Sequence, residues 1–141
     1  MTDRGEVLRS VDIFSDFPEE FLGRLAGVSE LRTFAKDETI VTQHDPATAF
    51  FIVTRGRLDV IHRDERAGAV ILACLEPGQF FGEMALLNTG TRTATVRASE
   101  DAECLVLEKA AFDAELRKDP NSAAVMATRL ARRINRLRRQ A

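Results

Sequence analysis

Apolar positions follow a helical period at both ends of the chain and a strand period between them. In residues 5–28, Val7, Leu8, Val11 and Ile13-Phe14 form one apolar set and Phe21, Leu22 and Leu25 a second at helical spacing. A break falls near Pro18, where Phe17-Pro18-Glu19-Glu20 places proline and two acids as a first helical turn prefers them. From residue 29 to 107 the runs are short: 31–34, 39–42, 50–54, 57–62, 70–75, 93–98 and 103–107 predict strands. Turn signals separate them at Lys36-Asp37, His44-Asp45-Pro46, Arg55-Gly56, Ala67-Gly68 and Glu76-Pro77-Gly78. Many short strands at this spacing mean a sandwich or barrel. Residues 108–141 return to the helical period. A short helix over 110–116 stops at Asp119-Pro120-Asn121, and Asn121 or Ser122 can cap a second. That second helix carries Met126, Leu130, Ile134 and Leu137 as one apolar stripe.

Composition narrows the class. The 141 residues suit a single domain able to bury a real core, with 45% hydrophobic and 30% charged side chains. No apolar run approaches the ~20 residues that cross a bilayer, and the polar start Met-Thr-Asp-Arg-Gly-Glu is no secretory signal. The expectation is a soluble cytoplasmic protein or a soluble part of a larger one. Cys74 and Cys104 lack a CxxC spacing and read as reduced core residues. The two histidines, His44 and His62, stand in unlike positions without a nearby third ligand, so no metal site is expected. No Ser/His/Asp set or catalytic acid pair can be assembled either, which argues against an enzyme.

The stretch 80–98, Phe-Phe-Gly-Glu-Met-Ala-Leu-Leu-Asn-Thr-Gly-Thr-Arg-Thr-Ala-Thr-Val-Arg-Ala, concentrates the candidate chemistry. Gly82 lets backbone approach a ligand with no Cβ in the way. The short helix-forming run Met84 to Leu87 offers backbone N–H groups to an anion, and a turn follows at Asn88-Thr89-Gly90. Arg92 adds a planar fork of donors for phosphate oxygens. Glu83 would repel phosphate at close range, so hydrogen bonds from sugar hydroxyls are its natural work. Together these demands fit a sugar phosphate.

Residues 81–87 and 92–98 resemble the phosphate-binding cassette of cyclic nucleotide-binding domains, the family of catabolite activators, cyclic-nucleotide-gated channels and kinase regulatory subunits. Phe14 to Leu22 is similar to that family's N-terminal helical segment, 50–58 to its strand–glycine–strand, and 75–82 to its lead-in to the cassette. The resemblance implies an eight-stranded antiparallel jelly roll over 29–107, an N-terminal helical segment over 5–28, and a C-terminal lid over 108–141. It also implies cyclic AMP or cyclic GMP as ligand, with no further cofactor, held by Phe81, Gly82, Glu83, Met84, Ala85, Arg92, Thr93 and Ala94. Backbone at 82–85 and the Arg92 side chain would hold the cyclic phosphate, and Glu83 the ribose 2′-hydroxyl. The Thr93 hydroxyl resembles members that accept cyclic GMP, yet such residues also occur in cyclic AMP binders, and cyclic AMP is the preferred expectation. Two family glycines are replaced, by Asp37 and His44, side chains that tolerate positive φ.

Charge is uneven along the chain. The net value is −2, but residues 129–141 carry six arginines and no acid, leaving −8 on residues 1–128. This basic helix reads as a solvated face, as a lid in which Arg132, Arg133, Arg136 and Leu137 close over the base, or as a contact for nucleic acid or an acidic membrane. Its apolar stripe can pack on its own domain, or pair with a twin or an effector domain. No helix-turn-helix follows the long helix, so direct DNA binding by this chain is not expected. The function expected is a cyclic nucleotide-sensing module signalling through its last helix; the alternative is a ligand-free structural or interaction module on the same fold.

Overall fold

The computed structural model describes residues 2–87 and 90–140, without the side chains of 121, 122 and 138–140. The Asn88-Thr89 turn, the Asn121 or Ser122 cap and the side chains of Arg138 and Arg139 lie outside the described residues.

The N-terminal segment comprises α1 (Arg4–Ser10), a 3-10 turn (Asp12–Phe14) and α2 (Glu19–Val28), divided at Pro18 as predicted. Asp3 caps α1, its carboxylate accepting from the N–H groups of Gly5 (2.9 Å) and Glu6 (3.2 Å). Among the described residues ten strands follow: β1 (Glu30–Phe34), β2 (Thr39–Val41), β3 (Pro46–Ala47), β4 (Ala49–Arg55), β5 (Leu58–Asp64), β6 (Gly68–Leu75), β7 (Phe80–Phe81), β8 (Gly90–Thr91), β9 (Thr95–Ala98) and β10 (Ala102–Glu108). Two helices, α3 (Lys109–Arg117) and α4 (Pro120–Gln140), close the chain. Proline opens α4 at the first helical position, where its missing N–H does no harm.

All pairings are antiparallel. The sheets run β1-β10-β4-β7 and β2-β9-β5-β6, which make the expected eight-stranded roll, and β3 pairs with β8 as a separate short ribbon. The two-residue strands β3, β7 and β8 are too short to show a period and went unpredicted. The predicted strand at 93 begins at Thr95, because Thr93 and Ala94 form a bend after Arg92. Asp37 and His44 adopt φ of 72° and 78°, the left-handed turns that glycine would otherwise serve.

Side chains alternate across β4 and β10, and both faces are buried. Phe51, Val53, Cys104 and Val106 face the roll interior with Leu58, Val96 and Ala98. Phe50, Ile52, Leu105 and Leu107 face a helical core made with Leu8, Ile13, Phe14, Phe21, Phe112, Met126, Leu130 and Ile134. The apolar stripe of α4, Met126, Leu130, Ile134 and Leu137, therefore packs inside its own domain. Cys104 is buried as expected, but Cys74 is not a core residue: it is exposed on β6, with its thiol donating to Asp59 (3.3 Å). No helix among the described residues is long and apolar enough to cross a membrane.

Candidate functional site

The cassette begins where β7 ends. Gly82 takes φ 81° and caps a 3-10 turn over Glu83–Leu86, and the Ala85 N–H donates back to the Gly82 carbonyl at 3.0 Å. The expected helical run is thus one tight 3-10 turn. Its underside is apolar: Leu86 is buried in the helical core, with Met84 and Leu87 packed against it. That burial leaves Gly82 and Glu83 half-exposed.

Arg92 is brought to this turn by backbone rather than by regular strand. Its N–H donates to the Asp45 carbonyl (2.7 Å), and its own carbonyl accepts from the His44 N–H (2.8 Å). The β3–β8 ribbon, with Pro46 opposite Thr91 and Ala47 opposite Gly90, continues the same clamp. The left-handed residue His44 is therefore part of what fixes the arginine. A Cβ on Gly82 would lie 2.6 Å from Nη1 of Arg92 and 2.8 Å from the Ala49 carbonyl. The glycine is needed for room as well as for φ.

Arg92 is only 7% exposed. Its Nη2 donates to the Ala49 carbonyl at 2.9 Å, its guanidinium carbon lies 5.6 Å from the centre of the Phe51 ring, and its buried Nε has no partner. Phe51 stacks in turn on Phe81, with centroids 4.6 Å apart and planes 3° from parallel. Burial pulls the Arg92 pKa below its ordinary value, opposed by the charges of Glu108 and Glu83. Arg92 makes no ion pair within 4.0 Å among the described residues, so a buried cation stands here with one neutral hydrogen bond and a vacant donor. Such a group suits an anion arriving from outside the chain.

The sequence-selected residues divide into two places. Phe81, Gly82, Glu83, Met84, Ala85 and Arg92 gather around the 3-10 turn, with exposed Thr93 and half-buried Ala94 in the bend just after the arginine. The lid candidates lie on α4, beside the N-terminal segment. Nε and Nη2 of Arg133 donate to the two carboxylate oxygens of Asp16 (3.0 and 3.1 Å), and Nη1 donates to Asp12 (3.2 Å). Arg132 and Arg136 are exposed on the same helix, and Leu137 packs against the helical core. Sequence reasoning missed Ala49 and Phe51, which hold the arginine from β4. The Ala49 contact runs through a backbone oxygen, and nothing in a side-chain pattern marks it.

A roll with a glycine-led 3-10 turn and a buried arginine across from it defines a small-anion binding module. The family profile for the cyclic nucleotide-binding domain matches residues 31–119. The chain belongs to that family. It is 30% identical over 108 residues to human cGMP-dependent protein kinase 2, covering 75% of this chain and 14% of the kinase. It is 35% identical over 103 residues to the cyclic AMP receptor protein of Thermus thermophilus, covering 73% of this chain and 48% of the receptor. The chain thus spans only a small part of the kinase and about half of the receptor. Among solved structures, the N-terminal domain of a transcriptional regulator from Streptomyces coelicolor A3(2) superposes with a TM-score of 0.82 at 26% identity, over 96% of each chain.

Proposed function

We propose that the chain senses a cyclic nucleotide, with the cyclic phosphate against Arg92 and the backbone of residues 82–85. Glu83 takes the ribose 2′-hydroxyl and Thr93 faces the base. The observation that carries this is the nine-tenths-buried Arg92 with its partnerless Nε beside the Gly82 turn. Phosphate would supply the missing acceptor and the missing charge together. In this reading the ligand is bound and not altered. Cyclic AMP is the preferred ligand. Relatives named for cyclic GMP and for cyclic AMP both occur, and Thr93→Ala titrated with each nucleotide shows whether its hydroxyl separates them.

Signalling follows as a population shift in which bound nucleotide favours one placement of α4 over another. Leu86 and Met84, under the cassette, share a core with Met126, Leu130, Ile134 and Leu137 of α4. The Arg133 clamp on Asp12 and Asp16 ties α4 to the N-terminal segment.

Isothermal calorimetry of wild type and Arg92→Leu with cyclic AMP and cyclic GMP tests this. Truncating a buried charge that pairs with ligand removes about 2–5 kcal/mol, or about 30- to several-thousand-fold in affinity. Binding by Arg92→Leu within about threefold of wild type would sink the phosphate assignment. Absence of heat and of thermal shift with both nucleotides would leave a structural or interaction module on this fold.

A further inference from the structure

The solvent face of α4 carries Arg129, Arg132, Arg133 and Arg136, which with Asp16 line a groove of about 380 Å³. Residues three and four apart are neighbours on a helix, so Arg129–Arg132, Arg129–Arg133, Arg132–Arg136 and Arg133–Arg136 are all like-charge pairs, an arrangement that destabilises a helix standing alone. Arg133 is neutralised by Asp12 and Asp16. Arg129, Arg132 and Arg136 join no ion pair among the described residues. All three are exposed.

We propose that this arginine face docks a short acidic segment of a partner protein, with carboxylates spaced to meet Arg129, Arg132 and Arg136. The chain already displays the chemistry. Asp12 and Asp16, four residues apart, take Arg133 with oxygens at 3.0 to 3.2 Å, and the other three arginines extend the same offer along the helix. The rest of the charge favours a compact carboxylate partner over an extended polyanion. Residues 1–128 carry −8, and Glu19 and Glu20 open α2 just beyond the Asp12–Asp16 turn that packs on α4. Nucleic acid or an anionic bilayer long enough to pass the helix would meet that acidic body. The proposal uses side chains of α4 and not the cassette, so the two proposals fail separately.

The test is fluorescence anisotropy of dye-labelled hexaglutamate with the full chain at about 20 mM and about 200 mM salt. The expected result is saturable binding that weakens about tenfold or more between the two salts and about tenfold or more in R129Q/R132Q/R136Q. R63Q/R66Q, which removes exposed charge from the β5–β6 turn, should leave it within about twofold. If the triple variant melts early, R132Q and R136Q singly should each weaken binding about threefold. The proposal is overturned by absent hexaglutamate binding at low salt, or by equal loss in R63Q/R66Q. It also falls if an oligothymidylate of about 20 nucleotides or a phosphatidylserine vesicle displaces the probe more tightly than unlabelled hexaglutamate does.

Discussion

Gly82→Ala separates the two reasons for glycine at the head of the cassette, provided it is read beside Gly68→Ala. Both glycines are left-handed, with φ of 81° and 74°. At Gly68 a new Cβ meets nothing within 4 Å, whereas at Gly82 it would lie 2.6 Å from Nη1 of Arg92 and 2.8 Å from the Ala49 carbonyl. Left-handed backbone costs an alanine about 1–2 kcal/mol, and the stiffer unfolded chain returns about 0.4–1 kcal/mol. Gly68→Ala should therefore destabilise by about 0.5–1 kcal/mol. At Gly82 the guanidinium must also yield, and its hydrogen bond to the Ala49 carbonyl is lost from a buried charge, worth about 1.5–3 kcal/mol more. The expected total is about 2–4 kcal/mol. The chain has no Trp or Tyr, so urea unfolding is best followed by far-ultraviolet circular dichroism. Loss of nucleotide binding should accompany Gly82→Ala and not Gly68→Ala. Stabilities of the two variants within about 0.5 kcal/mol of each other would refute the crowding of Arg92.

The thiols should separate cleanly: a disulfide reagent titrates one cysteine in the native chain and the second only on unfolding. Burial pushes Cys104 up to about 12, while exposed Cys74, its pKa also raised, chiefly by its hydrogen bond to Asp59, reacts slowly but without unfolding. Two native-state thiols at equal rate would contradict the buried position of Cys104. The α4 clamp should be acid-sensitive. Hydrogen bonding from Arg133 holds the Asp16 carboxyl below its ordinary value, so its contribution is present above the unfolded pKa and disappears as pH falls through the lowered folded one. Asp16→Asn should lower stability at neutral pH and converge with wild type below the usual carboxylate range, and acid titrations that stay parallel would count against the clamp.

Much of the architecture was legible because burial is periodic here. Helical spacing at Val7 to Leu25 and at Met126 to Leu137, with short β-rich runs between them, was enough for two helical ends around a sandwich or barrel, and the family resemblance narrowed that to an eight-stranded roll. In the cassette, the nearness of Gly82 and Arg92 in space was legible from the sequence, and the structure brings the two side by side. The left-handed turns at Asp37 and His44 were also readable from side chains that tolerate positive φ. What escaped were features that leave little trace in side-chain type. Ribbon β3–β8 has two residues per strand, and the grip on Arg92 runs through the backbone of His44, Asp45 and Ala49. Cys74 was misplaced because β6 looks like a core strand, Gly-Ala-Val-Ile-Leu-Ala-Cys-Leu, yet sits at a sheet edge with Ile71 and Leu72 exposed. Edge position is a property of topology, and no local run of residues encodes it.

Strand β4 is where the site and the helices meet, and three consecutive residues do the joining. Ala49 accepts the Arg92 hydrogen bond, Phe51 lies under the guanidinium, and between them Phe50 points the opposite way into the helical core. Phe50 touches Phe80 at the head of the cassette (5.4 Å between centroids) and Phe14 of the N-terminal segment (5.6 Å), and Phe14 stacks on Phe17 at 5.4 Å. Asp12 and Asp16, which hold Arg133 of α4, flank Phe14 in the chain. A rearrangement at Arg92 that shifted Ala49 would thus act on a packed aromatic row before it reached α4. Closely packed rings resist partial displacement, because small gaps forfeit much of their contact energy. Under the proposed sensing role, a core of this kind would switch between two packings as the anion at Arg92 came and went, and α4 would follow.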